Sequence, residues 1–278
     1  MIKYFLKKLN KRSEEDLRLH YEVEKSIAEK LKKATKNERK VIYRTMYDEL
    51  FEKIPNHSRL QRRASSSKTK KTNNYNIKFL KKHLNGIKSF CEFAPGDGKL
   101  SIKISEFVEK VYSIDISNQL LKDELIPENM ELIIYDGYNL NIKKETIDLV
   151  FSNQLIEHFH PDETETHFKI VYDILKPKGS YIFKTPHNFS GPWDISRYFS
   201  NTPQGFHLKE WTYFELIKLM KSVGFKNFKT YYYAKYFFFR LPVFYFIFFE
   251  KIFSVIPKSL RRIISFPFLP HIAIKTDK

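Results

Sequence analysis

The chain has a single cysteine, Cys91, and only eight glycines in 278 residues. One thiol excludes an internal disulfide and fits a reducing compartment, and its place in an apolar stretch reads as a small buried residue. All the glycines lie at or beyond Gly86, so the first 85 residues lack the most flexible residue, as a helical region should. Long apolar runs are also missing from the aromatic segment near the C-terminus. Its longest uncharged run, Leu241 to Phe249, is far short of the roughly 20 residues of a spanning helix and is bounded by Arg240, Glu250 and Lys251. Acids are absent between Glu52 and Glu92, where Arg59, Arg62, Arg63, Lys68, Lys70, Lys71, Lys78, Lys81 and Lys82 accumulate around Ser65, Ser66 and Ser67. That stretch reads as a solvated linker and helix face.

Met1 to Arg12 offers a brief apolar patch, Ile2 to Leu6, broken by Lys3 and followed by Lys7, Lys8, Lys11 and Arg12. No signal peptide of ordinary length is expected there, which favours a cytoplasmic location. With 42% apolar residues the chain can fill the core of one α/β domain of about 200 residues plus an appendage. A net charge of +17 would suit nucleic acid or an anionic membrane, but Lys, Asn, Ile, Phe and Tyr are abundant along the whole chain. The charge reads as a compositional bias, and nucleic acid is not the expected partner.

Ser13 precedes Glu14, Glu15 and Asp16, after which Leu17, Tyr21 and Ile27 to Leu31 recur at helical spacing. Thr35 with Glu38 forms a second capping box before Ile42, Met46, Leu50 and Phe51. Two amphipathic helices are therefore predicted, and their apolar stripes need a partner, either the main domain as a lid or a second subunit. The expected organisation is a helical extension with a basic linker over residues 1–72 and an α/β domain over residues 73–278.

The most informative stretch runs from Ser89 to Ser117. A strand, Ile87 to Phe93, enters a loop with Gly96 and Gly98; a helix follows with Leu100, Ile104, Phe107 and Val108 on one face; a second strand, Val111 to Ile114, ends in Asp115. This is a β-α-β unit. Loops at the carboxyl ends of parallel strands leave a crevice, and an acid roughly 20 residues past the glycines is placed to accept hydrogen bonds from a ribose diol. The loop carries Asp97 and lacks a third glycine, both unfavourable for a pyrophosphate.

Glu92-Phe93-Ala94-Pro95-Gly96-Asp97-Gly98 resembles motif I of class I S-adenosylmethionine-dependent methyltransferases, whose cationic cofactor tolerates an acidic loop. The resemblance continues in order along about two hundred residues. It implies a Rossmann-like, seven-stranded, mostly parallel sheet flanked by helices, with S-adenosylmethionine as cofactor. The cofactor-binding positions it implies are Glu92, Ala94, Gly96 and Gly98 in the loop, Asp115 and Ile116 at the ribose, Asp136 and Gly137 beside the adenine, and Asn153 after the fourth strand. Ala94 departs from the family's first glycine and places a Cβ where the backbone turns past the methionine moiety. In related methyltransferases N-terminal helices often cap the active site, so the lid is favoured.

Beyond the fifth strand, Ser180 to Lys184, the connection 186–210 is too long for a plain turn and reads as a substrate loop. A capping box at Thr212-Tyr213-Phe214-Glu215 opens a helix ending at Gly224, Lys226 to Tyr236 reads as a sixth strand, and His271 to Lys275 suits the family's antiparallel seventh. The aromatic insertion 236–268 combines large apolar residues with flanking bases. Peripheral membrane contact, at the inner face of the membrane, packing on the domain's own core and a homodimer interface are the three readings it offers.

Methyl transfer needs alignment and a group that removes a proton from the acceptor. Glu157 and His158, just past the fourth strand, resemble the E-H pair of ubiquinone-biosynthesis O-methyltransferases, and His207 with Glu210-Trp211-Thr212 resembles a stretch of small-RNA 2′-O-methyltransferases. The latter hold a divalent metal through E-x-x-E-H and a later histidine; here Gln154 replaces the first acid, so no metal is assigned. The catalytic candidates are thus Glu157, His158 and His207, with O-methylation of a small-molecule, lipid or glycan acceptor as the expected reaction. An RNA 2′-O-methyltransferase and a catalytically silent cofactor-binding partner subunit are the alternatives.

Overall fold

A computed structural model describes residues 12–57, 66–116, 126–234 and 237–278. The expectation for Met1 to Arg12 falls almost wholly outside these residues, as do Arg59, Arg62 and Arg63 of the basic stretch and Tyr236.

Two antiparallel-capable helices come first, α1 (Glu14–Lys33) and α2 (Lys36–Lys53). Both start where the capping signals place them: the Asp16 N–H donates to the Ser13 hydroxyl, and Thr35 with Glu38 closes a reciprocal capping box. A third helix, α3 (Ser66–Lys81), runs across the expected boundary at residue 72. Its Phe79 and Leu80 are fully buried against the sheet, so the second half of the acid-free stretch is part of the domain's packing.

The sheet contains β1 (Ser89–Phe93), β2 (Lys110–Asp115), β3 (Met130–Ile134), β4 (Ile147–Asn153), β5 (Leu175–Pro186), β6 (Lys226–Ala234), β7 (Phe237–Leu241) and β8 (His271–Asp277), in the order β3-β2-β1-β4-β5-β8-β6-β7. Strands β1 to β5 pair in parallel, β8 runs antiparallel between β5 and β6, and β7 folds back on β6. The sheet therefore has eight strands where seven were expected. The extra one is the Phe237–Leu241 stretch, assigned from sequence to the insertion. Its aromatic residues pair across the hairpin, with Tyr232 stacked on Phe239 at 5.1 Å and Tyr233 facing Phe238 at 6.3 Å; such cross-strand pairs favour extension.

Alternation along the strands supplies two apolar layers. Cys91, Phe93, Val150 and Tyr181 face α5 (Thr164–Ile174) and α6 (Tyr213–Val223), while Phe90, Leu149, Phe151 and Ile182 face α3 and α4 (Lys99–Ile104). The aromatic region closes the first layer through α7 (Val243–Ser254), whose Phe246 stacks on Tyr213 at 4.2 Å, and continues into α8 (Lys258–Ser265). Among the described residues no helix is long and apolar enough to cross a membrane.

Helices α1 and α2 share a separate apolar cluster with Phe206 and Leu208 of the 186–210 connection, and Ile116 at the end of β2 packs on it. The apolar stripes of the two helices are thus covered by loops at the carboxyl ends of the strands.

Candidate active site

The crevice begins where β1 leaves the sheet. Ala94, Gly96 and Gly98 all have positive φ (52°, 65° and 67°), and Gly98 caps the N-terminus of α4. A left-handed turn costs glycine little but strains a residue with a Cβ, so Ala94 sits in the conformation for which the family's glycine is suited. The Ala94 N–H donates to the Ile114 carbonyl at 2.8 Å, which ties the loop to the end of β2. A Cβ built at Gly96 would meet nothing within 4 Å, so open space borders the loop where a cofactor's backbone contacts would lie.

The acidic positions separate into different roles. Asp115 and Ile116 stand at the carboxyl end of β2, with the Asp115 carbonyl accepting from the Tyr135 N–H. Glu92 is buried beneath the loop and accepts from the Ser101 hydroxyl at 2.5 Å, while the Ser113 hydroxyl donates on to Ser101. Burial pushes its carboxyl up to about 8. Glu92 therefore pins α4 to β1 and β2. Asp136 behaves in the opposite way. Partial burial alone would raise it, but the Lys40 ammonium at 2.8 Å and the N–H groups of Asn139 and Tyr138 hold it well below the usual carboxylate range. Gly137 follows with φ 87°, and Asn153 ends β4 beside Lys184.

Lys40 belongs to α2, so the N-terminal helices reach the position that the resemblance assigns to the adenine. Two more contacts latch them. Glu163 accepts from Arg39 at 2.6 Å, from the Tyr43 hydroxyl at 2.7 Å and from the Tyr138 hydroxyl, and the Tyr43 oxygen accepts from the His160 N–H at 2.9 Å. At the other end of α1, Glu24 accepts from His20 at 2.7 Å and from the Phe206 N–H at 3.1 Å. His20, Glu24 and His57 have ligand atoms close enough for a metal ion. Arginine only donates, however, so the Arg12 contact to His20 Nδ1 at 2.8 Å places the ring's proton on Nε2, toward Glu24. Hydrogen bonds account for His20 and Glu24, and they fasten α1 to the 186–210 connection.

The catalytic candidates converge. Glu157 and His158 lie in a short 3₁₀ turn, Ile156–His158, after β4; His207 arrives from the 186–210 connection, and the two histidine rings are 5.0 Å apart at 80°. Glu157 is fully buried: its Oε2 accepts from Thr185 at 2.8 Å and its Oε1 has no partner. Burial pushes its carboxyl up to about 7, a shift that His207 opposes. His158 Nδ1 lies 2.9 Å from the Phe206 carbonyl oxygen, an acceptor only, so Nδ1 carries the proton and Nε2 is left with its lone pair. His207 Nδ1 lies 2.8 Å from Glu210 Oε1. Burial alone would lower His207, but that bond and the fields of Glu157, Glu210 and Asp194 raise it to about 9.

The ligand atoms of Glu157, His158 and His207 lie within 4.8 Å of one another. One carboxylate and two imidazoles, each fixed through its other nitrogen, form a set that could hold a divalent cation with modest contraction. Gln154, at φ 57°, turns the chain after β4, its N–H donating to Lys184.

Sequence reasoning did not find Glu210 as the group that orients His207, nor the contacts of Arg39, Lys40 and Tyr43 on α2. The first was within reach from the i, i+3 spacing of His207 and Glu210; the α2 contacts join residues about a hundred positions apart and leave no local signal. It also missed Lys184, buried in β5 with its ammonium 4.2 Å from the Tyr233 ring centre and lowered by burial to about 7.

Residues 91–183 match the family model described as a methyltransferase domain. No curated protein matches the chain. Among solved structures the fold is similar to a chain of the Haloferax volcanii complex between the Trm112 methyltransferase activator and a methyltransferase, with TM-score 0.53, 11% identity, and 77% of this chain and 95% of that chain covered. It is likewise similar to an S-adenosylmethionine-dependent methyltransferase from Thermotoga maritima (TM-score 0.51, 15% identity, 74% and 89% covered) and to one from Archaeoglobus fulgidus (0.51, 15%, 84% and 100%). At such identities these likenesses concern the fold, while the matched domain spans the glycine loop, Asp115, Asp136 and β4. Over residues 91–183 the chain is similar to the methyltransferase-domain family, and its fold is the one seen in S-adenosylmethionine-dependent methyltransferases.

Proposed function

We propose that the chain methylates an oxygen of a small-molecule, lipid or glycan acceptor, with the acceptor hydroxyl held at Glu157, His158 and His207. The observation that carries this reading is the convergence of these groups at the carboxyl end of β4, beside the crevice, with both histidines held at Nδ1 by an acceptor. The acceptor oxygen attacks the methyl carbon in line, the carbon–sulfur bond breaks with its electron pair passing to sulfur, and S-adenosylhomocysteine leaves. The acceptor proton passes to His158 Nε2 or to the Glu157 carboxylate, whose value of about 7 suits a base near neutral pH. The lid over the crevice excludes water and holds donor and acceptor in register.

Methyl transfer to a panel of hydroxylated acceptors, followed with labelled cofactor, tests the reading. Glu157→Gln and His158→Ala should each lower kcat by roughly a hundredfold or more while leaving cofactor affinity unchanged. Equal loss of cofactor affinity in both variants would mean that the cluster is structural.

A second reading has a specific observation in its favour: the same three residues form a ligand set for a divalent cation, as in the RNA 2′-O-methyltransferases that the His207-Glu210-Trp211 stretch resembles. A cation there would polarise the attacking hydroxyl. Chelator-sensitive methylation of an RNA 3′ end, restored by a divalent metal, would establish this reading; metal-independent turnover of a small acceptor would remove it.

A further inference from the structure

Apolar side chains reach solvent far more densely in one region than elsewhere. Of the sixteen large hydrophobic side chains exposed among the described residues, ten fall between Phe237 and Phe266. On α7, Phe244, Phe248, Ile252 and Val255 follow one another at spacings of four, four and three and so form a single stripe. Phe246, Glu250 and Phe253, on the other side of the helix, are buried. Val255 is 84% exposed and Phe244 73%. Helix α8 extends the surface with exposed Leu260, Ile263 and Ile264. A helix that is apolar on both sides is suited to two apolar surroundings, and the protein supplies only one.

The charge of the region is one-sided. From 237 to 270 the bases are Arg240, Lys251, Lys258, Arg261 and Arg262, and the only acid is Glu250. Glu250 is buried, accepting from His187 and from the N–H groups of Tyr213 and Phe214, so it offers nothing to a partner.

We propose that the α7–α8 face seats the protein on an anionic lipid bilayer, with the apolar stripe at the boundary between headgroups and acyl chains and the surrounding bases on the lipid phosphates. The charge pattern selects this occupant. A second copy docked face to face would set five bases against five with no acid between them, whereas an anionic bilayer supplies both the apolar layer and the counter-charge. No described helix can span the membrane, so the face lies on it.

The same face adjoins the substrate loop. The Arg261 guanidinium stands 4.5 Å from the Phe189 ring centre, Arg262 donates to the Arg197 carbonyl at 3.1 Å, and Trp193 lies 5.9 Å from Phe266. The Trp193 N–H in turn donates to Glu210, which orients His207. Docking would therefore present the loop to amphipathic acceptors at the lipid surface; this extension rests on the methyl-transfer reading, whereas docking itself does not.

Flotation of the full chain with vesicles tests the proposal without any acceptor. Phosphatidylcholine vesicles with about 30% phosphatidylglycerol should carry the protein upward, pure phosphatidylcholine much less, and raising the salt from about 0.1 M to about 0.5 M should weaken the effect. The double variant Phe244→Ser/Phe248→Ser should bind roughly tenfold or more weakly, with cofactor affinity intact. Should that variant fail to fold, Lys258→Glu gives the same test through charge. Absence of flotation with anionic vesicles would overturn the proposal, as would equal binding by the folded variants. A dimer in solution that Phe248→Ser dissociates, with no vesicle binding, would assign the face to a second copy instead.

Discussion

At the β1–β3 end of the sheet, carboxylates are drawn inward and each is given a partner: Glu92 beneath the glycine loop, Asp136 under Lys40, Glu163 between Arg39 and Tyr43. At the β6–β7 end, with α7 and α8, apolar side chains turn outward and the one acid is consumed internally. The first region spends its polar groups on internal contacts that tie the glycine loop and helix α2 to the sheet. The second leaves its apolar surface exposed, the surface proposed above to meet a lipid bilayer. The difference teaches that polar and apolar groups are used oppositely at the two ends of the sheet, so the two proposals made for them can be tested separately.

Helix α7 offers the sharpest way to break the comparison, because both faces occur two residues apart. Phe246→Ala should destabilise the fold by about 3–5 kcal/mol in denaturant unfolding, through lost burial and the cavity left beside Tyr213. Phe248→Ala should cost less than about 0.5 kcal/mol and show itself only in vesicle binding. Equal destabilisation by both would mean that the exposed stripe is packed in solution.

Glu157→Gln comes next in size, with its expected loss of roughly a hundredfold in kcat. The pH dependence sharpens it. A carboxyl raised to about 7 in the folded chain binds a proton there that the unfolded chain, with its lower value, has already lost. The folded state is thus favoured by this group at low pH and loses that advantage as pH rises toward 7. The stability of the wild type relative to Glu157→Gln should therefore fall over that window; a flat difference would show that burial does not raise the group.

The contacts of α2 give a smaller effect. Tyr43→Phe removes the hydroxyl that donates to Glu163 and accepts from His160, and should cost about 1–2 kcal/mol of stability together with weaker cofactor binding. Smallest is Ala94→Gly: relief of the left-handed strain, partly offset by a more flexible unfolded chain, should leave a gain of about 0.5 kcal/mol, seen as a slightly higher Tm.

The glycine loop, the strand end at Asp115, the Ser13 N-cap of α1, the capping boxes of α2 and α6 and the strands through β5 were legible because each rests on short-range spacing. Boundaries shifted by a few residues, as for β5, where pairing with β4 and β8 extends Leu175–Pro186 beyond the apolar core of the strand. The eighth strand was not legible: Phe237-Phe238-Phe239 has no polar alternation, and only pairing with β6 makes it extended. Helix α3 was obscured by its own basic composition, since two buried residues, Phe79 and Leu80, decide its docking. At the site, Glu157, His158 and His207 could be named from motifs, but their approach to one another depends on the path of the 186–210 connection. Glu92 shows the limit of motif transfer: it occupies the family position and is turned to Ser101.

The account rests on the crevice above β1 and β2, and calorimetric titration of the full chain with S-adenosylmethionine, beside Asp115→Ala, tests it most directly. Binding in the micromolar range that weakens about a hundredfold in the variant, as the loss of two charge-assisted hydrogen bonds would produce, is the expected result. Absence of binding by the wild type, or equal affinity in the two proteins, would contradict it.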